Sequence, residues 1–375
     1  MKAGMKKIAI LGASYLQLPL VQKAKELGYE THCFAWDNTE AVCKNVADYF
    51  YPISVLDKES ILLECEKVQI DGIITIATDI CIPTISFVAE KLDLIANSSE
   101  SAYISTHKLE MKNAFLKNNI KTPKIISFSN AGQGFTNQLK FPLIVKPTDR
   151  SGSRGVSKVN TQIELLNAIE IAKEVSIEKK VLVEEFVEGT EVSVESISWK
   201  GEHYILAITD KVTTGEPHFV ELEHHQPSTL SESILGNIRD ETLKALDALD
   251  IKFGASHSEF KITRKDEIFL IEVGARMGGD FIGSHLVELS TGYDYLAGVI
   301  GISLNYFKEP KVEKKGSSGI YFLTANNAYL QKYFTYTHSF EVLKNRSKKD
   351  LVYPSNSNDR SGYFIYHDNH RKILK

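Results

Sequence analysis

The stretch FPLIVKPTDRSGSRGV (residues 141–156) joins an apolar, strand-like run to a loop with a lysine, two arginines and two glycines. Lys146 stands at the strand end, where its side chain either reaches along the sheet edge to solvent or points at a ligand. Successive backbone N–H groups in a glycine-rich loop form a concave anion site, and a nearby lysine or arginine adds full charge. Because surface hairpins use the same residue types, the stretch alone leaves a phosphate site and a solvated turn both open.

Upstream of this stretch, short apolar runs alternate with helical patterns over the first hundred residues. Such alternation predicts a parallel sheet covered on both faces, that is, a doubly wound domain over 1–104. The turn after the first run, LGASYLQ, contains only Gly12 where a dinucleotide fingerprint needs three spaced glycines, so a nicotinamide enzyme is disfavoured. The predicted strands are 7–11, 31–36, 48–53 and 72–77, and the predicted helices are 15–27, 57–68 and 80–91.

Downstream, the pattern becomes rich in antiparallel strands. A helix is predicted from Ser105 to Asn118, and two alternating runs meet at Lys200-Gly201 as a hairpin. This change of character places a domain boundary near 104. A second domain, 105–302, is followed by a C-terminal α+β extension, 303–375, which begins with the charged connector KEPKVEKKGSSG.

Two carboxylates stand in apolar surroundings on strands that the pattern makes neighbours. Glu259 lies in SHSEF and Glu272 lies in LIEVGAR, 13 residues later. A buried carboxylate without a partner is costly, and a shared divalent cation such as Mg²⁺ would stabilise both. Two ordinary salt bridges are the alternative.

The composition narrows the class of protein. The chain has 375 residues and a formal net charge of −4, so nothing draws it as a whole to nucleic acid or to anionic membranes. The four cysteines fall within the first 81 residues without a CxxC pair, which favours reduced thiols in a cytoplasmic protein. No segment has the length and apolar character of a membrane span.

Taken in order, these motifs resemble the ATP-grasp superfamily, in particular its carboxylate–amine ligases. The similarity is closest to L-amino acid ligases and carbamoyl-phosphate-synthase-like proteins, and it extends from the N-terminal sheet to about residue 300. The resemblance implies an ATP-grasp fold with two α+β subdomains, with a mobile lid at about 122–187. The segments that carry it are HKLEMK, IVKP, SGSRGV, VEEFVEGTE, HSEF and IEVGARMGGD.

The resemblance also implies a role for each matching residue. Lys108 and Lys146 would contact the ATP phosphates, under a loop that closes over them. Glu184, Glu185 and Val187 would hold adenine, and Glu191 would bind the ribose. Glu259 and Glu272 would bind Mg²⁺, with Mn²⁺ as an alternative metal. The implied loop residues are Gly152, Ser153 and Gly155, and the implied catalytic residues are Arg276 and Lys211.

One position departs from the family pattern. Many members have an asparagine two residues after the second glutamate as a further metal ligand, and this chain has Gly274 there. The number of metal ions therefore stays open. The histidines His224, His225 and His257 either contact substrate or have core or solvated roles. A metal site on them is disfavoured, because no third ligand stands at a familiar spacing.

We therefore expect an ATP-dependent ligase that joins a small-molecule carboxylate to an amine through an acyl phosphate, with amino acids as candidate substrates. A homodimer is an arrangement common in the resembling family. The alternatives are a purine-pathway ligase such as phosphoribosylglycinamide synthetase and a non-catalytic nucleotide sensor on the same scaffold. The sequence does not name the substrates.

Overall fold

The computed structural model describes residues 4–128, 140–150 and 154–375. Its first sheet is fully parallel, with the strand order β3–β2–β1–β4. The predicted strand–helix alternation is confirmed, with strands somewhat shorter than the apolar runs. The elements are β1 (Lys7–Leu11), α1 (Leu18–Glu26), β2 (Glu30–Phe34), β3 (Tyr49–Tyr51), α2 (Lys58–Val68), β4 (Gly72–Ile74) and α3 (Ile82–Leu92).

The central strand β1 explains why this sheet is covered on both faces. Side chains alternate across a strand. Ile8 and Ile10 pack into one hydrophobic cluster, whereas Ala9 and Leu11 pack into another. Each face of β1 therefore contributes to a separate core, as a parallel sheet requires.

The predicted helix 105–118 is wrong in its first turn. Two helices cover this region, α4 (Ser99–Thr106) and α5 (Lys108–Lys117). His107 separates them because its extended backbone (φ −106°, ψ 103°) cannot continue an α-helix. Its ring Nδ1 accepts a hydrogen bond from the Glu110 N–H at 3.4 Å, so His107 caps α5 and Lys108 becomes the first helical residue.

The second sheet is small and antiparallel, with the order β5–β8–β6–β7. One helix covers it, and the apolar residues of that helix pack against Val145 and Val183. This unit falls within the predicted lid. Its elements are β5 (Ile125–Phe128), β6 (Leu143–Pro147), β7 (Ser157–Val159), α6 (Gln162–Val175) and β8 (Val181–Glu185).

The third sheet has eight antiparallel strands in the order β13–β12–β9–β10–β11–β14–β16–β15. The predicted hairpin is confirmed: Trp199 pairs with Glu202, and both Lys200 (φ 54°) and Gly201 (φ 84°) have positive φ, as in a type I′ turn. The strands are β9 (Thr190–Trp199), β10 (Glu202–Thr213), β11 (Glu221–Gln226), β12 (Phe253–Ile262), β13 (Ile268–Gly274), β14 (Ser317–Leu323), β15 (Glu341–Arg346) and β16 (Gly362–Asp368).

Three helices after residue 230 lie beside this sheet. They are α7 (Glu232–Ala248), α8 (Val287–Thr291) and α9 (Tyr295–Ser303), with a π-helical turn at Ile282–Leu286 and 3₁₀ segments at Ala325–Phe334 and Ser357–Asp359. A further 3₁₀ segment, Val42–Asn45, belongs to the first domain. Across the described ranges, no helix has both the length and the apolar character needed to cross a bilayer.

The C-terminal strands continue the third sheet. β14 pairs with β11, and β16 lies between β14 and β15. The fold class predicted from the sequence, a parallel N-terminal sheet followed by α+β units with antiparallel sheets, is confirmed. The domain boundaries near 104 and 302 stay predictions.

Candidate functional site

A cleft between the second and third sheets contains most of the residues that the sequence singled out. The second sheet supplies Lys146 and Glu184, the third supplies the acidic pair and Lys211, and helix α5 supplies Lys108. The predicted residues that line the cleft are Lys108, Lys146, Glu184, Glu185, Val187, Glu191, Lys211, Glu259 and Glu272.

The two predicted metal carboxylates are cross-strand neighbours. Glu259 on β12 is the register partner of Glu272 on β13, so both side chains project from the same face. Lys211 donates to Glu259 Oε1 at 2.7 Å, and Lys108 donates to Glu272 Oε2 at 2.8 Å. The charge on each glutamate is therefore balanced by a lysine from a different element.

These lysines keep the glutamates ionised. Burial alone would raise the pKa of Glu272, but the Lys108 ammonium outweighs it and lowers that pKa to about 2. Burial likewise opposes ionisation of Glu259, yet Lys211 and His257 hold its pKa well below the usual range. The cleft thus presents two carboxylates at neutral pH.

A second charge cluster surrounds Glu184. Lys146 Nζ donates to Glu184 Oε1 at 2.6 Å, and Lys112 Nζ lies 3.5 Å from Glu184 Oε2. The side chains of all three are at most 6% exposed. Burial lowers the pKa of Lys112 to about 8, although Glu184 partly opposes this shift. Lys112 escaped sequence reasoning, but its i, i+4 spacing from Lys108 on one helix face was a usable signal.

At the far end of the cleft, aromatic rings and a further lysine join the predicted nucleotide residues. The rings of Phe186 and Phe219 lie 6.0 Å apart between centroids, and Lys261 Nζ lies 2.7 Å from Glu191. None of Phe186, Phe219 and Lys261 was predicted. Lys261 follows Glu259 by two residues, so strand periodicity places both on one face.

The glycine-rich loop is described only in part. Gly152 and Ser153 lie outside the described residues. Gly155 has a φ of +73°, a left-handed conformation that favours glycine. The next residue, Val156, lines the cleft, so Gly155 lies beside the site.

His257 connects the acidic pair to the interior of the sheet. Its Nδ1 contacts the fully buried Glu195 and its Nε2 lies 3.2 Å from Glu259 Oε1. Burial alone would lower the pKa of His257, but Glu195 and Glu259 raise it to about 9. Glu195 also accepts a hydrogen bond from the Gly278 N–H at 3.0 Å, which holds the loop after β13 against β9.

Arg276 does not line this cleft. Its guanidinium contacts Asp79 of the first domain: Nη2 donates to Oδ2 at 2.9 Å and Nε lies 2.9 Å from Oδ1. Arg276 is therefore paired with a residue that the sequence analysis did not single out.

The two neighbouring histidines of β11 have different surroundings. His224 is the register partner of Lys211, is buried, and has Nε2 3.7 Å from Asp280 Oδ2. Burial lowers its pKa to about 4, against a smaller opposing effect of Asp280. His225 instead contacts the Tyr366 hydroxyl and Glu223, each at 2.9 Å. His225 thus has two hydrogen-bond partners within the fold. His224 lies opposite the cleft residue Lys211 and therefore faces the cleft side of the sheet.

The donor set suits magnesium bound together with a nucleotide. Within the described ranges, no group of three or more metal-ligating side chains is present. Mg²⁺ is commonly held by one or two carboxylates, with phosphate oxygens and water completing its octahedron. The paired oxygens of Glu259 and Glu272 fit that requirement.

Comparison with known proteins agrees with this geometry. Residues 139–284 match the family described as the ATP-grasp domain. The alanine–anticapsin ligase of Bacillus subtilis (strain 168) is 28% identical over 271 residues, which are 63% of this chain and 57% of that protein. The alignment thus spans little more than half of the relative's length.

Two solved structures share the fold over nearly the whole chain. The L-amino acid ligase from Bacillus licheniformis has a TM-score of 0.79 at 21% identity, covering 96% of this chain and 93% of that one. The N5-carboxyaminoimidazole synthetase from Staphylococcus aureus, complexed with ADP, has a TM-score of 0.79 at 16% identity and covers 98% and 94%. With the matching family, the strand order and the lysine–glutamate cleft, these similarities confirm the resemblance found in the sequence: the chain contains an ATP-grasp domain, matched over residues 139–284.

Proposed function

We propose that this chain is an ATP-dependent carboxylate–amine ligase. The observation that carries the proposal is the pair Glu259–Glu272, two ionised carboxylates on adjacent strands, each matched to a lysine in one cleft. A structural salt-bridge pair does not need to face a cleft lined by further lysines. A site for a metal–triphosphate complex needs this combination of anions and cations.

In this proposal the nucleotide lies along the cleft. The apolar end near Phe186 and Phe219 suits a purine ring, and Glu191 suits the ribose hydroxyls. Lys108, Lys146 and Lys211 would bind the phosphates through charge-assisted hydrogen bonds. Glu185 and Val187 keep their predicted contacts with adenine. Because the Glu184 carboxylate contacts Lys146, we propose that it orients this lysine in addition to its predicted adenine contact.

The proposed chemistry has two steps. A substrate carboxylate oxygen attacks the γ-phosphorus, the bond to ADP breaks, and an acyl phosphate forms. The amine nitrogen then attacks the acyl carbon, a C–N bond forms, and inorganic phosphate leaves with the electron pair of the C–O bond. When bound, Mg²⁺ would neutralise phosphate charge, while the lysines and Arg276 would stabilise the charge that spreads in the transition state.

Further features belong to the same proposal. The unit at 122–187 would close as a lid to keep water from the acyl phosphate. Mn²⁺ would replace Mg²⁺, and the substrates would be small molecules, with amino acids suggested by the names of two similar proteins. A cytoplasmic location rests on four buried cysteines that are all free thiols, and a homodimer is the proposed assembly.

The deciding experiment measures ADP release over a panel of carboxylic acids and amines at saturating Mg²⁺-ATP. Release that requires both an acid and an amine, with a product mass equal to their sum minus water, supports the ligase. Release with only phosphoribosylamine and glycine would indicate the purine-pathway alternative. ATP binding without ADP release under any pair would indicate a nucleotide sensor. The variant Glu272→Gln, assayed at the lowest Mg²⁺ concentration that saturates wild type, serves as the control for ADP release that does not depend on the cleft.

A further inference from the structure

Arg276 and Asp79 contact each other across the boundary between the parallel sheet and the large antiparallel sheet. Asp79 belongs to the loop between β4 and α3, and Arg276 follows β13. Two nitrogens along one edge of the guanidinium, Nη2 and Nε, each lie 2.9 Å from a carboxylate oxygen. Their side chains are 18% and 12% exposed, so solvent screens this pair only weakly.

The loops that carry these two residues are themselves joined. The Ala77 N–H donates to the Met277 carbonyl at 3.0 Å. Ala77 adopts a φ of +62°, which is uncommon for a residue with a side chain. Asp79 is therefore presented to Arg276 by a loop whose backbone is already held against the segment after β13.

Gly274 leaves the space for this contact. A Cβ at position 274 would lie 2.7 Å from Asp79 Oδ1 and 3.1 Å from Arg276 Cζ. The first distance is shorter than Cβ atoms show and the second is tight, so any larger residue at 274 would push the Asp79 carboxylate away from its present position. Gly274, the residue that departs from the family pattern, is thus the residue that leaves room for Arg276 to pair with Asp79 of the first domain.

Asp79 lies beside the acidic cleft, and Arg276 contacts it from behind Gly274. Asp79, Lys108, Glu272 and Gly274 line one common cavity. Arg276 has five N–H donors in a plane. The contacts with Asp79 and a hydrogen bond from Nη1 to the Met277 carbonyl at 3.4 Å leave at least two of these donors for an anion.

We propose that Asp79 is a positioning residue for Arg276: it fixes the plane of the guanidinium so that the remaining N–H donors meet the reacting anion beside Glu272. This inference rests on the proposed ligase function. It makes the first domain part of the reaction machinery, although Asp79 itself touches no reacting atom. A guanidinium held along one edge loses little entropy when its other donors bind.

The first test is Asp79→Asn, which keeps the shape of the side chain and removes its charge. We expect kcat to fall about 100-fold, as a misplaced catalytic group does, while the Kd for ATP stays near wild type. The matched control is Lys23→Gln, which removes another interdomain ion pair, to Asp294 at 2.9 Å, away from the cleft. Near-normal kcat in Asp79→Asn would overturn the proposal.

The second test uses Gly274→Ala. In the wild-type background the added methyl group should lower kcat to a similar extent because it displaces Asp79. In an Asp79→Ala background, where the obstructing carboxylate is gone, Gly274→Ala should lower kcat only slightly further. Equal losses in both backgrounds would show that Gly274 does not act through Asp79.

A third measurement separates failure of this inference from failure of the proposed function. Urea midpoints of Asp79→Asn, Arg276→Gln and the double variant form a cycle that needs no activity. If no acid–amine pair elicits ADP release from wild type, the ligase proposal is wrong. The urea cycle by itself then tests whether Asp79 and Arg276 are coupled. Non-additive midpoints support the pairing, and additive midpoints overturn it.

Discussion

Glu259 and Glu272 stand directly opposite each other on adjacent antiparallel strands, and each accepts a hydrogen bond from a different lysine. Two carboxylates on one sheet face repel each other unless cations lie between or beside them. Lys211 and Lys108 supply two such cations. The relationship leads directly to a metal-dependence experiment.

Glu272→Gln should raise the Mg²⁺ concentration needed for ADP release. A neutral amide is a weaker ligand for a hard cation, and loss of a charge-assisted contact of about 1.5–3 kcal/mol corresponds to roughly 10–150-fold. Mg²⁺ titrations of activity measure the effect. Glu267→Gln is the matched control, because Glu267 is an exposed carboxylate in the same hairpin that pairs with Lys121. An unchanged Mg²⁺ dependence in Glu272→Gln would remove Glu272 from the metal site.

Lys146→Ala should weaken ATP binding by about 1.5–3 kcal/mol through loss of one charge-assisted phosphate contact. The single variant should also lower the free energy of unfolding, because buried Glu184 would keep only Lys112, at 3.5 Å.

The double variant Lys146→Ala/Glu184→Gln separates these two effects. It removes the unpaired charge, so stability should recover while ATP affinity stays low. Calorimetric ATP titrations and urea unfolding measure the two quantities, and exposed Lys180→Ala is the control. Wild-type ATP affinity in the double variant would show that Lys146 is only a partner of Glu184.

Arg276→Lys should lower turnover by roughly 100–1,000-fold, the range seen when one donor to a developing charge is removed. Lysine cannot reproduce two contacts along one edge of a planar group, so it should not rescue activity. ATP affinity should stay near wild type, and exposed Arg264→Lys should behave as wild type in both assays. A parallel loss of ATP binding and turnover would instead indicate that Arg276 supports the loop.

His224 should make the protein sensitive to mild acid. Its pKa is about 4 in the folded state because of burial, against about 6.5 in an unfolded chain. Between these values the unfolded state binds more protons, so the free energy of unfolding rises with pH and falls as pH drops from 6.5 to 4. The full decrease in the free energy of unfolding over this pH range is about 3 kcal/mol.

Urea unfolding between pH 4.5 and 8 tests this prediction. His224→Gln should reduce the slope below pH 6.5 by about 1.4 kcal/mol per pH unit and leave the slope between pH 7 and 8 as in wild type. Superimposable curves for the two proteins below pH 6.5 would contradict a buried neutral His224. His225, whose pKa burial also lowers, contributes in the same direction to both proteins.

Local periodicity determined most of the architecture. The alternation of apolar runs with helical patterns predicted the parallel sheet, and the Lys200-Gly201 turn predicted the β9–β10 hairpin, because turn residues and strand patterns act over a few residues. The adjacency of Glu259 and Glu272 also followed from the sequence, since two strands joined by a short connection pair with each other. The ordered motifs were enough to identify the ATP-grasp superfamily.

Other features were decided by tertiary structure. β11 was not predicted, because ELEHHQ has no apolar alternation, yet its place between β10 and β14 buries His224, His225 and Gln226. The break at His107 depends on backbone dihedrals that the helical pattern of 105–118 does not reveal.

The sequence by itself thus indicated most of the charged residues that line the cleft and the element on which each of them lies. Only the tertiary structure decided how those charges are paired. Asp79 is 197 residues from Arg276, and Lys146 is 38 residues from Glu184. A side chain's periodicity specifies the face it occupies within its own element, whereas its ionic partner is chosen by the packing of elements that are distant in the chain.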